Sequence, residues 1–467
     1  MTTSSLHAKL SRNKNVLAAA IIVAGGFAAS NVYAANTWTV NSCSDANSGS
    51  GFTGTLRYAV ANAATGDTVD MTTLGCSLIT LKSGAVAVTQ ADLTINGVGS
   101  SNLFISGKYN GVATDRIFKH TGTGTLNLKG MTVYEGYMKS GSAAGGCIYS
   151  AGSVNLNDVY VAVCEAKGTA SSFGGGIYAK GQLKMKYSTI SFSETNGGNS
   201  FGGGFLAGSL YMKYSTVSGN EAADSAGGWS EGSTTIKSST FSGNSASVNV
   251  GGLRIITSSP VLISNSTISG NSAAYLIGGV YANAPTVTVQ NSTIVFNTAA
   301  KDRAGATPPF RYYAPGVSFV ARSASQSVTL QSNLISNNTA SSGGEYDLST
   351  FAATGFSVTF NAAPANNLIR STFSAVPSDT IKLSCPRLGP LRNNGGATET
   401  HALQRGSPGI DQGNNAANLA YDQRGIIFPT TPAYPRVDNG VADIGAYERN
   451  QEDMIFDNGF EGCPLLF

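Results

Sequence analysis

The sequence predicts an all-β fold, a parallel β-helix made of stacked copies of one coil. A phrase with a Ser-Gly-Asn turn and a double glycine recurs along the chain, as in NSTISGNSAAYLIGGVY at residues 265–281. Within each copy, apolar residues lie two positions apart, which is the alternation of a β-strand. Copies recur every 24–29 residues with no helical period between them, as in solenoids whose coils stack about 4.8 Å apart. An antiparallel β-sandwich is the alternative, but it does not need copies of one phrase in register.

Aligned copies form columns, each with one expected role. Two apolar columns, two residues apart, should face the core, and an asparagine column after the turn should form a hydrogen-bonded ladder. A further column follows the double glycine and is also expected to point inward. The first apolar column is Leu126, Val154, Leu183, Leu210, Thr234, Val261, Val287 and Val328, and the second is Leu128, Leu156, Met185, Met212, Ile236, Ile263, Val289 and Leu330. The ladder is Asn220, Asn244, Asn271, Asn297 and Asn338, and the double-glycine column is Ile148, Ile177, Phe205, Trp229, Leu253, Val280 and Val317.

The first 34 residues have the three parts of a signal peptide. A basic region at residues 9–14 precedes the apolar run Val16 to Ala29, and Val32-Tyr33-Ala34 offers a cleavage site. The run has 14 residues, whereas a membrane span needs about 20. The sequence therefore predicts a protein at the outer cell surface or in the extracellular space, with no transmembrane span in the mature chain.

The rest of the chain divides into four segments. Leu56, Val60 and Ala63 lie at helical spacing and predict a short helix that covers the open N-terminal end of the stack. An insertion at residues 301–316 accounts for one long repeat and is either a binding loop or a neutral excursion. The predicted segments are 35–92 (cap and first coils), 93–372 (repeats), 373–449 (a segment capping the helix) and 450–467 (a tail).

Cysteine and charge content narrow the class of protein. All six cysteines lie after residue 34, and an even number in an exported chain favours disulfides. Three of the 29 Lys and Arg residues lie in residues 1–34, which leaves 26 against 26 Asp and Glu. This balance argues against a general nucleic-acid binder. Six cysteines allow 15 pairings. Proximity along the chain suggests Cys43–Cys76, Cys147–Cys164 and Cys385–Cys463.

Two parts of the chain resemble known families. The recurring phrase, over about residues 120–345, resembles the polymorphic outer membrane protein repeat. The sequence LGPLRNNGGATETHALQRGSPGIDQG at residues 388–413, with DQRG at 422–425 and DIGAYE at 443–448, resembles choice-of-anchor Q proteins. GTLRYAVANAATGDTV at residues 54–69 is similar to their N-terminal segment. The resemblance implies a right-handed parallel β-helix of the pectate-lyase-like type, with an export signal and a variable anchor, but it supplies no catalytic set.

Three polar columns are candidates for a ligand site. Lysines and tyrosines along a rod suit a uronate polysaccharide, which is long, flat and acidic. Glutamates stacked in register repel one another and favour a cation such as calcium, which takes oxygen ligands. The alternative is that these outward side chains only solvate the surface. The candidate ligand contacts are Lys129, Lys186, Lys213 and Lys237, with Lys184 and Tyr211 beside them, and Tyr149, Tyr178 and Tyr281 with Arg254; the candidate metal ligands are Glu165, Glu194 and Glu221.

Two functions follow from these columns. The first is a non-catalytic, adhesin-like scaffold that binds an extracellular polysaccharide or a surface protein, with calcium as its only candidate cofactor. The second is a lyase or glycoside hydrolase acting on an acidic polysaccharide, with Lys186, Lys213 or Arg254 as a lyase base or paired carboxylates in a hydrolase. The fold alone does not separate them. We favour the first because no catalytic constellation stands out, and His120 and His401 are isolated and are interpreted as structural.

Overall fold

The structure is a computed structural model that describes residues 35–450, apart from 110, 114, 300–313, 341–345, 373, 427–432 and 439. The predicted signal peptide, the tail after residue 450, Cys463 and most of the insertion, with Arg303, Arg311, Tyr312 and Tyr313, lie outside the described residues. In the part of the chain that is described, no helix has the length and hydropathy of a membrane span.

The described chain forms a parallel β-helix, as the repeat predicts. Its strands lie in four stacks, and a complete coil passes through the first, second, third and fourth stack in turn, whereas the first and last coils have no strand in the fourth. Within a stack, each strand pairs in parallel with its counterpart in the next coil. One coil alone buries little apolar surface, so the fold is stabilised by contacts between neighbouring coils.

The four stacks have the following strands, where a long strand contributes to two stacks. The first contains Val86–Val88, Phe118–His120, Ile148–Ser150, Ile177–Lys186, Phe205–Lys213, Gly228–Ser230, Leu253–Ile256, Val280–Asn283, Val317–Ala321 and Leu348–Ala352. The second contains Thr37–Ser42, Thr68–Asp70, Leu93–Asn96, Thr125–Tyr134, Ser153–Ala162, the ends of Ile177–Lys186 and Phe205–Lys213, Thr234–Lys237, Val261–Ser264, Thr286–Gln290, Gln326–Gln331 and Val358–Phe360. The third contains Leu78–Thr80, Phe104–Ser106, the ends of Thr125–Tyr134 and Ser153–Ala162, Thr189–Ser191, Thr216–Ser218, Thr240–Ser242, Thr267–Ser269, Thr293–Val295, Leu334–Ser336 and Leu368–Ile369. The fourth contains Tyr137–Ala144, Glu165–Phe173, Glu194–Phe201, Glu221–Ala222, Ser245–Ala246, Ser272–Ala273, Thr298–Ala299 and Thr339–Ala340.

A few shorter strands lie outside this regular pattern. Gly49–Ser50 and Thr53–Thr55 pair with each other, and Thr53–Thr55 also pairs with the first strand of the second stack. Two antiparallel pairs complete the set: Lys108–Tyr109 with Val112–Ala113, and Tyr421–Ile426 with Ala433–Pro435.

The core follows the predicted apolar columns, with one correction. Both columns of the second stack pair coil by coil and are buried. In the double-glycine column, however, Gly228 pairs with Phe205, and Trp229 lies on the outward side. A Cβ on Gly228 would lie 2.2 Å from the Phe205 ring. The prediction for Trp229 was therefore wrong because the Phe205 ring fills the core volume of two coils.

The asparagine ladder is confirmed. The Nδ2 of Asn244 donates to the Oδ1 of Asn271 at 2.8 Å, and the Nδ2 of Asn271 donates to the Oδ1 of Asn297 at 2.9 Å. Asn220 and Asn338 extend the ladder on either side. It ends on Asp347, whose Oδ1 accepts from the Nδ2 of Asn338 at 2.9 Å, and burial raises the pKa of this carboxyl to about 7. Every ladder amide is thus satisfied inside the rod.

The N-terminal cap and two disulfides are as predicted. A helix, α1, spans Leu56–Asn62, and its Leu56 and Val60 are buried against the first coils. The Thr55 hydroxyl caps it by accepting from the backbone N–H of Tyr58. Cys43–Cys76 and Cys147–Cys164 are bonded, with Cα–Cα distances of 6.4 and 5.4 Å. The third predicted pair includes Cys463, so it stays a prediction.

Residues 388–426, 433–438 and 440–449, here called the C-terminal strap, lie along the third stack. The Gln423 side chain bonds Thr240 and Thr267, which belong to consecutive coils. The backbone N–H of Ala446 donates to the Thr293 hydroxyl of the next coil, and Asn414 bonds Ser332 of the coil after that. The strap therefore bonds the outward face of the third stack in four consecutive coils.

The strap is held by a buried ionic core, which contains the residues of its DQRG and DIGAYE motifs. The Arg424 guanidinium lies 2.7 Å from Asp422 and stacks on Tyr447, with 3.9 Å to the ring centroid. Arg436 is fully buried, 3.5 Å from the Glu448 carboxylate. Burial raises the pKa of Glu448 to about 8 and raises that of Asp422. The family-like motifs thus have a packing role in this chain.

Acid is expected to loosen the strap through His401. Its imidazole lies 2.8 Å from the Ser269 hydroxyl and 2.7 Å from the carbonyl of Gly389, and burial lowers its pKa to about 4. The unfolded chain, with an ordinary histidine pKa of about 6.5, takes up the proton first as pH falls. The contribution of neutral His401 is therefore complete above about pH 6.5 and declines by roughly 3 kcal/mol towards pH 4.

Urea unfolding of the wild type and of His401→Gln across this pH range measures the effect. Glutamine does not titrate there, so the difference in unfolding free energy between the two proteins should decline with acid. Two curves that run parallel from pH 7 to pH 4 would contradict this role of His401.

Candidate functional site

The lysine stripe lies on the outward face of the second stack, in the predicted register. Lys129 pairs with Asn157, Asn157 with Lys186, Lys186 with Lys213, and Lys213 with Lys237. Lys129 and Lys186 are exposed, and Lys213 and Lys237 are half-buried. Because coils are about 4.8 Å apart, Lys186, Lys213 and Lys237 form a continuous row of positive charge. Asn157 interrupts the row between Lys129 and Lys186.

Lys184 and Tyr211 widen the same face. They pair with each other across adjacent coils, two residues before Lys186 and Lys213, and therefore point outward beside them. The Lys184 Nζ lies 5.7 Å from the centroid of the Tyr211 ring, within cation–π range. The predicted neighbours of the stripe are thus part of its surface.

Two further tyrosines, which the sequence patterns above do not single out, follow the stripe at the turn into the third stack. The Tyr187 and Tyr214 rings stack with their centroids 5.3 Å apart and their planes 8° from parallel. The Lys186 Nζ lies 5.2 Å from the Tyr187 centroid, and the Lys213 Nζ lies 4.9 Å from that of Tyr214. The repeated tetrapeptide Lys-Tyr-Ser-Thr at residues 186–189 and 213–216 is the signal that could have identified them.

This turn requires a left-handed backbone. Tyr187 and Tyr214 have φ of +50° and +51°, a region that non-glycine residues other than Asn and Asp seldom adopt. The coil of Lys129 meets the requirement with Gly130, whose φ is 61°, and the others use small polar residues. At the same turn these are Asp158, Ser238, Asn265, Asn291, Ser332 and Asn366, with φ between 45° and 56°.

The acidic column lies in the fourth stack, on another side of the rod. Glu165 pairs with Glu194, and Glu194 with Glu221, as predicted. Glu165 accepts a 3.1 Å hydrogen bond from the Asn196 amide and lies 3.8 Å from the Lys167 ammonium. Over the described residues, no group of three or more His, Cys, Asp or Glu side chains is arranged to hold a metal ion. Calcium binding at the column stays a prediction.

The aromatic column lies on the outward face of the first stack. Tyr149 and Tyr178 stack at 5.6 Å, and Leu206 and Trp229 continue the column. Tyr281 also points away from the rod axis but is only 6% exposed, because it packs in a small cluster of apolar residues outside the coil. Little of its ring is left for a ligand, so the accessible part of this column is its Tyr149 end.

Arg254 links the aromatic column to an acid. Its guanidinium lies between Trp229 and Tyr281, 4.9 and 5.5 Å from their centroids. It forms an ion pair with Asp224, which also accepts from the Asn249 amide at 2.9 Å. The charge of Arg254 is thus compensated within the protein, whereas Lys129 and Lys186 of the stripe are exposed to solvent.

The two histidines have the structural role that was expected. The His120 ring is fully buried, with Nδ1 2.7 Å from the Ser150 hydroxyl and Nε2 3.0 Å from the carbonyl of Gln90. His401 is committed to holding the strap. Neither ring is available to act as a base on a ligand at the stripe.

Comparisons with known proteins give one distant structural match. No protein-family model and no curated protein matches the chain. Among solved structures, it is similar to pectate lyase Pel9A, with a TM-score of 0.44 and 13% identity, over 89% of this chain and 98% of that one. A likeness this distant carries no argument, so the fold and the function are argued from this chain's own residues.

Proposed function

We propose that the protein is an exported, non-catalytic scaffold that binds an acidic polysaccharide along the lysine stripe. The observation that carries the proposal is the row formed by Lys186 and Lys213, with Lys184 beside it and the stacked Tyr187 and Tyr214 at its edge. Lysine supplies charge-assisted hydrogen bonds to carboxylates, and tyrosine supplies a flat surface for a sugar ring.

The spacing and surroundings of the stripe support a polymeric ligand. Equivalent lysines recur about every 4.8 Å, a distance comparable with the length of one sugar unit. Beside the row lies a shallow cavity of about 350 Å³. Its hydroxyl and amide groups can exchange hydrogen bonds with sugar hydroxyls. The polar residues that line it are Asp92, Thr125, Asn127, Ser153, Asn155, Gln182 and Lys184.

Location and family belong to the same proposal. The signal-like N-terminus and two disulfides support export to the cell surface or the medium. The choice-of-anchor Q resemblance of the strap and the repeat resemblance of the coils support kinship with surface β-helix proteins. An adhesin-like role, in which the rod attaches a cell to an acidic matrix, would use the stripe as its contact face.

Removing two lysines of the stripe should weaken polysaccharide binding. For Lys186→Ala/Lys213→Ala we expect the Kd for oligogalacturonate or oligoalginate to rise about tenfold, because each exposed ion pair contributes under about 1 kcal/mol. The wild-type affinity should fall with added salt, and the variant should show a shallower dependence. Isothermal titration calorimetry at two salt concentrations measures both.

The matched control removes two exposed lysines elsewhere, Lys139 and Lys382. Lys139→Ala/Lys382→Ala has the same net charge as the stripe variant and should bind like the wild type. Equal weakening in both variants would indicate non-specific attraction and contradict the proposal. Release of unsaturated or reducing ends from the polysaccharide, with or without calcium, would instead support the lyase or hydrolase alternative.

A further inference from the structure

Two residues at the edge of the stripe, Tyr187 and Tyr214, adopt a backbone conformation that their type disfavours. Tyr187 has φ of +50°, yet the same turn in later coils is made by Asn265 and Asn291, which tolerate this region. Its side chain is 46% exposed, so burial compensates only part of the backbone cost. Strained residues of this kind concentrate at binding sites, where the side chain is needed.

The stack with Tyr214 leaves one face of the Tyr187 ring without an aromatic neighbour. Tyr214 follows in the next coil and covers one face at 5.3 Å. In the preceding coil the turn position is Asp158, whose carboxylate is held by the hydroxyl and the backbone N–H of Ser100. The other face of Tyr187 is therefore turned towards a coil with a small side chain, and the Lys186 ammonium lies 5.2 Å from the ring centroid.

That coil is the one that interrupts the lysine stripe. Asn157, beside Asp158, pairs with Lys129 on one side and with Lys186 on the other. Asn157 is exposed and short. We call this position the recess: the short Asn157 side chain lies in register between Lys129 and Lys186, one residue before the turn that carries Tyr187 in the next coil.

We propose that this recess is a sugar subsite that sets the register of a bound uronate chain, an inference that rests on the proposed function. One pyranose ring stacks its apolar face on Tyr187 and its hydroxyls meet the Asn157 amide. The carboxylates of this unit or its neighbours pair with Lys129 and Lys186. The lysines supply attraction along the whole stripe, and Tyr187 selects where one ring lies.

The test compares two aromatic residues in the same coil. Phe192, at the other end of strand Thr189–Ser191, is also exposed, also has φ of +50°, and also donates its backbone N–H to the next coil. Tyr187→Asn and Phe192→Asn should both match or exceed the wild-type urea midpoint, because asparagine tolerates this backbone. Only Tyr187→Asn should weaken binding of a uronate oligomer, by about fivefold.

Salt dependence and a conservative variant separate the outcomes. Tyr187→Asn should keep the wild-type salt dependence, unlike the lysine variant, and Tyr187→Phe should bind within about twofold of the wild type because the ring is retained. Wild-type affinity in Tyr187→Asn, with weakened Lys186→Ala/Lys213→Ala, would overturn the subsite and leave the proposed function standing. Wild-type affinity in both Tyr187→Asn and Lys186→Ala/Lys213→Ala would overturn the subsite and the proposed function. Loss of stability together with affinity in Tyr187→Asn would assign the ring a folding role and overturn the subsite.

Discussion

Replacing Asn271 with alanine is expected to lower the free energy of unfolding by about 4 kcal/mol. Asn271 is fully buried, and its Oδ1 accepts from both the backbone N–H and the Nδ2 of Asn244, at 3.1 and 2.8 Å. Its own Nδ2 donates to the carbonyl of Phe241 at 3.1 Å and to the Oδ1 of Asn297 at 2.9 Å. Alanine leaves two buried donors of Asn244 without their acceptor, and each such group costs about 1–3 kcal/mol.

Chemical denaturation with circular dichroism measures this loss. Asn157→Ala is the control, because Asn157 is an exposed asparagine in another coil of the same rod and should change stability by less than about 0.5 kcal/mol. The ladder would have no structural importance if the two variants unfolded at the same denaturant concentration.

Replacing Arg436 with methionine is expected to detach the C-terminal strap, at a cost of about 3–5 kcal/mol in its docking. The guanidinium is fully buried, where it faces the carboxylate of Glu448, and it also bonds the carbonyl of Asp443. Removing one partner of a buried ionic group leaves the others uncompensated, which is the costly case. Methionine keeps most of the volume and removes only the charge and its donors.

Hydrogen exchange and limited proteolysis locate the effect. Backbone amides of the strap, such as those of Gln423 and Ala446, should lose protection, while cleavage appears within residues 388–449. Arg392→Met is the control, since Arg392 lies in the same segment and is not buried. Full protection of the strap in Arg436→Met would show that apolar contacts alone hold it.

The features that could be predicted from the sequence are those that repeat. Each inward residue of a coil stacks on the equivalent residue of the next coil. The alignment of Leu126, Val154 and their equivalents is therefore enough to place the strands and their register. The asparagine ladder is equally visible, because asparagine at one position of five coils indicates side chains that bond one another along the stack. Two disulfides could be predicted because their cysteines are close in sequence.

The features that do not repeat could not be predicted. The Phe205 ring occupies core space in the next coil, where Gly228 has no side chain, and Trp229 lies on the outward side. The strap contacts coils that lie 156 and 132 residues earlier in the chain, through Gln423 and His401 respectively. No periodicity encodes such contacts.

The candidate site was predictable only in part. The register of the lysine stripe followed from the alignment of outward positions. The aromatic wall could not be predicted, because Tyr187 and Tyr214 occupy a turn with a left-handed backbone, which tyrosine seldom adopts. In the sequence, a tyrosine does not indicate the turn that an asparagine such as Asn265 indicates, although the residues have nearly the same φ in the structure.

The strap also changes how the rod holds together as a whole. In a solenoid each coil contacts only its neighbours, so unfolding can proceed from an end one coil at a time. The strap binds Thr240, Thr267, Thr293 and Ser332 in four consecutive coils. Because one segment bonds all four coils, they should behave as one cooperative folding unit. The coils near the N-terminus keep the graded, neighbour-by-neighbour stability of a simple solenoid, and there the disulfides limit fraying.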